Sequence, residues 1–122
     1  IRDHGMFSRF GFHPLTFLTF SDRVYGWMTR DSGKPNRHLM DFYESEMKRL
    51  GYEYRLLRTH VLGMEGDIEP HKEALAEGVD YGPEQVRQVE EIRAKLHRRY
   101  RDLPDVDLMT TGVFLVGRKK ER

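Results

Sequence analysis

TTGVFLVGR, Thr110 to Arg118, is the stretch on which the fold turns. Val113 to Val116 is the most continuous apolar run in the chain. It is β-branched and aromatic, bounded by Gly112 and Gly117, and followed by the charged tail Arg118-Lys119-Lys120-Glu121-Arg122. An apolar run without polar alternation reads as a strand covered on both faces, inside a sheet. Such a strand needs a neighbour on each edge and a layer above and below. The rest of the chain has to supply them or borrow them.

Upstream, Leu103-Pro104-Asp105 stops a long helix that Pro83 opens, and Asp107-Leu108 leads into the strand. Val86, Val89, Ile92, Leu96 and Tyr100 form one stripe at spacings of three and four. Glu84 sits in the first turn, Arg98, Arg99 and Arg101 sit in the last, and Glu91 and Lys95 stand as an i, i+4 pair. Further back, Met40, Tyr43, Met47 and Leu50 keep helical spacing, and Gly51 is placed to end that helix in a left-handed cap. Tyr52 to Leu62 then reads as a strand. Between the two strands, 63–80 is an acidic, glycine-containing connection with a short helix expected over Ile68 to Ala76. Arg30 to Arg37, RDSGKPNR, is a loop. Pro14 to Phe20 has a mixed helical pattern, and Ser21 is placed to cap a second helix through Met28. Seven of the fourteen aromatic residues lie between Phe7 and Trp27. They must pack under something or cover something.

The length of 122 residues suits one domain over 1–122. Charged residues make up 34% of it, yet the net charge is +1, so no bulk charge points to nucleic acid or to a membrane surface. There is no cysteine, which excludes disulfides and thiolate metal sites and suits a reducing compartment. No apolar run approaches the ~20 residues of a membrane span, and no signal peptide is visible. A cytoplasmic protein is expected. The chain opens on Ile1-Arg2-Asp3-His4 without a methionine, which leads us to expect a piece of a longer polypeptide.

Two segments in this order, MDFYESEMKRLGYEY (Met40 to Tyr54) and DLMTTGVFLVGRKK (Asp107 to Lys120), resemble the C-terminal part of a class I S-adenosylmethionine-dependent methyltransferase. The opening IRDHGMF and the Asn36-Arg37 pair resemble bacterial members of that family. The resemblance covers nearly the whole chain. It implies an α/β fold of which this chain, α+β in itself, is the end of a Rossmann-like seven-stranded sheet. The last strand would run antiparallel, inserted between two others, and that would explain the unalternated run Val113 to Val116. The resemblance also implies S-adenosylmethionine as the parent's cofactor and a small-molecule or glycan-type methyl acceptor. The glycine-rich turn that would bring backbone close to that cofactor is not among these residues. We therefore expect the chain by itself to be inactive and to bind S-adenosylmethionine poorly.

Asp3 and His4 would fall in the loop after the family's fifth strand, where ligands sit in open α/β sheets. There His4 could take a proton from an acceptor hydroxyl. The plainer reading is a surface histidine beside a turn-forming aspartate. Arg9, Phe10, Asn36 and Arg37 are candidates for the acceptor pocket, with Arg37 holding a phosphate or carboxylate. The plainer reading makes Asn36 a helix cap and Arg37 a structural ion-pair residue. Tyr25 and Trp27 belong either to a lid over the acceptor or to the core. The histidines His4, His13, His38, His60, His71 and His97 lack metal-ligand spacing, so no metal is expected. The run Lys95 to Arg101 could touch nucleic acid, but it reads more simply as the end of a charged helix. A non-enzymatic α+β binding module that uses its aromatic face or basic helix is the alternative function. For a fragment without the upstream strands, open sheet edges and uncovered apolar area lead us to expect a homo-oligomer, a dimer or an intertwined assembly in which strands from two chains share one sheet.

Overall fold

The structure, a computed structural model, describes residues 7–33, 35–62 and 81–121. Asp3, His4 and the helix expected over Ile68 to Ala76 lie outside the described residues. What is described is a small α+β fold, with two 3-10 turns (Ser8–Phe10 and Thr16–Leu18), five helices and a two-stranded antiparallel sheet.

Local chemistry explains most element boundaries. Helix α1 is Asp22–Met28; the Ser21 hydroxyl accepts from the Val24 amide at 3.3 Å and caps it. Helix α2, Met40–Arg49, has Asp41 in its first turn and Lys48 and Arg49 in its last. Gly51, at φ 73°, takes the left-handed turn that sends the chain straight into β1, Tyr52–Val61. Helix α3, Pro83–Arg93, starts with proline in its first turn. The Gln85 side chain accepts from the Gly82 amide at 2.7 Å and donates to the Leu62 carbonyl at 3.1 Å, tying the helix start to the end of β1. Two short helices follow, α4 (Arg98–Arg101) and α5 (Asp105–Met109), and then β2, Thr110–Lys119.

Four expectations change. Pro14 to Phe20 holds only a 3-10 turn, Thr16–Leu18, rather than an α-helix. The long helix from Pro83 breaks after Arg93, because the His97 amide donates to the Leu18 carbonyl at 3.0 Å instead of to its own helix. Arg101 donates from Nε and Nη2 to the freed Leu96 carbonyl, and Arg93 donates to the carbonyls of Arg101 and Leu103. Leu96 and Tyr100 are still buried, so the apolar stripe survives the break. With the helix ended, Glu91 pairs back with Arg87 rather than forward with Lys95. Asp107-Leu108, read as the approach to the last strand, lies in helix α5.

The fourth change concerns TTGVFLVGR. β2 pairs antiparallel with β1, from Tyr52 opposite Lys119 to Val61 opposite Thr110, with register shifts at Arg58/His60 and His60/Val61. Gly112 lies opposite His60 at this irregularity. A Cβ there would stand 2.6 Å from the His60 ring and 2.8 Å from the Thr59 hydroxyl, so glycine lets the strands close up. Burial is graded along the ribbon rather than uniform. Thr59 to Val61 and Thr110 are buried, and the opposite end is exposed on β2, while Tyr52 and Tyr54 of β1 stay half-buried there. Only the base of the ribbon enters the core, where Leu15, Phe17, Leu18, Val89, Ile92, Leu96, Leu108 and Met109 pack together. The Leu62 amide donates to the Met109 carbonyl at 2.8 Å and pins that base. Further out, Phe114 is 46% and Val116 53% exposed. Among the described residues β2 has a strand partner on one edge only.

Candidate functional site

Arg37 organises the best-formed polar site. Its guanidinium is buried although it carries a charge. Nη1 donates to the carbonyls of Phe17 (3.1 Å) and Phe20 (2.6 Å), and Nη2 donates to Asp22 Oδ1 at 2.6 Å. Buried charge is tolerated only when it is paired and hydrogen-bonded in this way. The guanidinium carbon lies 4.3 Å from the Tyr25 ring centre and 5.2 Å from that of Tyr100. Arg99 comes from the other side, donating from Nη1 to both Asp22 oxygens at 2.9 and 3.1 Å. Asp22 is thus shared by two arginines, and the hydrogen bond from Arg37 is the main cause that holds its carboxyl below the ordinary range.

These contacts tie the 3-10 turn, α1, the loop before α2 and α4 into one unit. Above it lies an open cleft of about 220 Å³ between the start of α2 and α4. Arg37, Arg99 and Tyr100 line one part of it, and His38, Asp41 and Phe42 line the other. The His38 and Phe42 rings stack at 3.7 Å. The Tyr100 hydroxyl is buried and has no hydrogen-bond partner among the described residues. Burial is the main cause that raises its pKa, against the two arginines. The cleft therefore offers a cation, a carboxylate and an aromatic wall side by side. Ser45 also lines it, on the α2 side with His38 and Asp41.

The candidate residues distribute unevenly. Arg37 and Tyr25 come together, and Tyr25 also donates its hydroxyl to the Pro35 carbonyl at 3.0 Å. Arg37 occupies the structural ion-pair position that its plainer reading foresaw, and it borders the cleft as well. Asn36 does not cap α2; its side chain accepts from the His38 amide at 3.0 Å and shapes the loop. The residue preceding α2 is Leu39, without a side-chain cap. Arg9 is exposed, Phe10 is 73% exposed and Trp27 68% exposed, and none of the three lines the cleft. Reading the sequence missed Asp22, Arg99 and Tyr100. Only the mixture of Arg99 and Tyr100 with the apolar stripe hinted at them.

His13, one of the six histidines, has a structural task. Its Nδ1 accepts from the Leu15 amide at 3.1 Å, so Nε2 carries the proton and donates to the Gln88 carbonyl at 2.7 Å. Of the basic run, Arg99 and Arg101 are engaged within the fold. No helix among the described residues is long and apolar enough to cross a membrane. Compared with family models, curated proteins and solved structures, the chain matches none.

Proposed function

We propose that this chain is the acceptor-side, C-terminal part of an S-adenosylmethionine-dependent methyltransferase acting on a small-molecule or glycan-type acceptor. One observation carries the reading: α2 runs through left-handed Gly51 into β1, and β1 pairs antiparallel with a last strand whose other edge has no strand partner among the described residues. That order matches the end of the family's sheet, where the last strand sits between two neighbours. The other edge of β2 is where the missing neighbour would lie. In this reading Arg37 and Asn36 set the wall of the acceptor cleft. Tyr25 braces Arg37, Arg9, Phe10 and Trp27 contribute a lid surface, and Asp3 and His4 approach the reacting hydroxyl. S-adenosylmethionine would supply the methyl group from the preceding part of the sheet. The exposure of Phe10 and Trp27 also suits the alternative, a binding module whose aromatic surface meets a partner.

The test is the complete reading frame and its ligand binding. Ahead of Ile1 we expect a strand followed by a glycine-rich turn, then a strand ending in an acidic residue. Calorimetry should show micromolar S-adenosylmethionine binding to that whole polypeptide and no tight binding to residues 1–122. An initiator methionine directly before Ile1, or a whole polypeptide that ignores S-adenosylmethionine, would overturn the reading.

A further inference from the structure

We infer that the outer edge of β2 is a self-complementary docking surface for a second copy of this chain, which adds its own β2 antiparallel about Leu115. The inference needs only the strand and its sequence; it does not rest on the methyltransferase reading. Among the described residues no strand pairs with this edge. Such an edge offers N–H and C=O groups to any extended segment, and proteins usually blunt it with lysine, proline or bulges. The centre of β2, Gly112 to Gly117, contains no charge and no proline. The ladder irregularities lie at its base, around Arg58 to Val61, and its cations are confined to its end, at Arg118 and Lys119.

The faces of β2 limit how two copies can pair. Side chains alternate along a strand, and directly opposed residues share a face. Phe114, Val116 and Arg118 therefore lie on one face with Leu57, Arg55 and Glu53 of β1, their partners in the register. Leu115 and Gly117 lie on the other face, against α2, where Met47 stands next to Gly117. A two-fold axis normal to the sheet keeps the two exposed faces on one side. It allows only residues of the same parity to oppose each other.

Centred on Leu115, that symmetry sets Phe114 opposite the second copy's Val116 and Val116 opposite its Phe114. These are the two exposed apolar residues of the strand. Val113 meets Gly117, which has no side chain to compete for space. Arg118 meets Gly112 and Lys119 meets Thr111, so no cation faces a cation. Moving the centre one residue toward the C-terminus sets Phe114 against Arg118. Moving it one residue toward the N-terminus sets Val116 against Gly112 and leaves it uncovered. The Leu115 register is the one that covers both apolar residues, and it joins the two ribbons into one four-stranded sheet.

Light-scattering mass measurement on the 122-residue chain, across a concentration series, tests this. The wild-type chain should reach twice its 14.5 kDa. Phe114→Lys with Val116→Lys opposes cation to cation and should weaken the dimer by about 100-fold or more, leaving a monomer. Phe114→Lys with Val116→Glu places each lysine opposite a glutamate of the other copy in this register alone, and should restore the dimer. Both sites are exposed, and circular dichroism checks that both variants keep the fold. A wild-type monomer up to its solubility limit, a Lys/Lys variant that dimerises like the wild type, or a Lys/Glu variant no better than Lys/Lys would each overturn the proposal.

Discussion

Replacing Asp107 by asparagine should stabilise the protein at neutral pH and leave it unchanged in acid. Asp107 lies in the first turn of α5 and is 6% exposed. Its carboxyl is pushed up from 3.8 to about 6, first by burial, then by the negative charges of Asp41 and Glu44 on α2. The direction follows from linkage. Below the unfolded value the carboxyl is neutral in both states and costs nothing. Between the unfolded value and the folded value of about 6 the unfolded chain ionises while the native state keeps its proton, so stability falls across that window and levels off above it. A shift of this size corresponds to about 3 kcal/mol at 1.36 kcal/mol per pH unit. Asp41 and Glu44 are themselves only half-buried, so screening of their charges brings the expected cost to about 1–2 kcal/mol. The helix N-terminus returns about 0.5 kcal/mol to the ionised form. Asp107→Asn should therefore gain about 1 kcal/mol near pH 8 and almost nothing near pH 3, below both values. Urea unfolding followed by far-ultraviolet circular dichroism at both pH values measures this. Taking the difference between variant and wild type removes the opposite contributions of Asp22, Glu46 and Glu84, whose depressed pKa values lose stability only in stronger acid. Asp41→Asn should reproduce a smaller part of the gain, since its charge is the second cause. If Asp107→Asn destabilises equally at both pH values, the carboxylate is held by favourable contacts and the reasoning fails.

Two further substitutions probe the parts that hold the candidate site. Arg37→Met should destabilise by about 2–3 kcal/mol, below the usual cost of breaking a fully buried pair because Asp22 keeps access to water and Arg99; Arg37→Lys should recover only part of it, one ammonium being unable to reach two carbonyls and a carboxylate in a guanidinium's planar geometry. Thermal unfolding that left Arg37→Met within about 0.5 kcal/mol of wild type would show that the guanidinium is not the brace described. Gly51→Ala should cost about 1 kcal/mol, because the φ of 73° strains any residue with a Cβ although open space surrounds the site; an unchanged denaturation midpoint would contradict it.

The parts legible in the sequence are those fixed by neighbours a few residues away. Ser21 capping α1, Gly51 ending α2 and Pro83 opening α3 each depend on one local backbone requirement, and each is met where the residue stands. The break after Arg93 was not legible, since Leu96 and Tyr100 continue the stripe and only Leu18, far away in the chain, supplies the carbonyl that redirects His97. Helix α5 carried a weak signal, Pro104 followed by Asp105 and Asp107 at a helix start, which the adjoining strand obscured. The candidate site was half legible for the same reason. Arg37 stood out as a cation in a loop, but its partners are the carbonyls of Phe17 and Phe20 and the carboxylate of Asp22, which Arg99, between the two strands in the chain, also engages. No periodicity relates residues brought together in that way.

The reading of Val113 to Val116 as an interior strand separates into two physical statements. Unalternated apolar residues require cover on both faces, and this follows from their hydration alone. Which element provides the cover does not follow, because any extended chain can satisfy a strand edge. β1 satisfies one edge of β2. The methyltransferase reading assigns the other to a strand of the same sheet, and the Leu115 register assigns it to a second copy. The same N–H and C=O groups cannot serve both, so the two occupants exclude each other at that edge. In a polypeptide that brings its own neighbouring strand, the Phe114 and Val116 variants should therefore leave the oligomeric state untouched and lower folding stability instead. In the 122-residue chain the Lys/Lys variant should lower the mass to that of the monomer and leave the monomer's own fold intact.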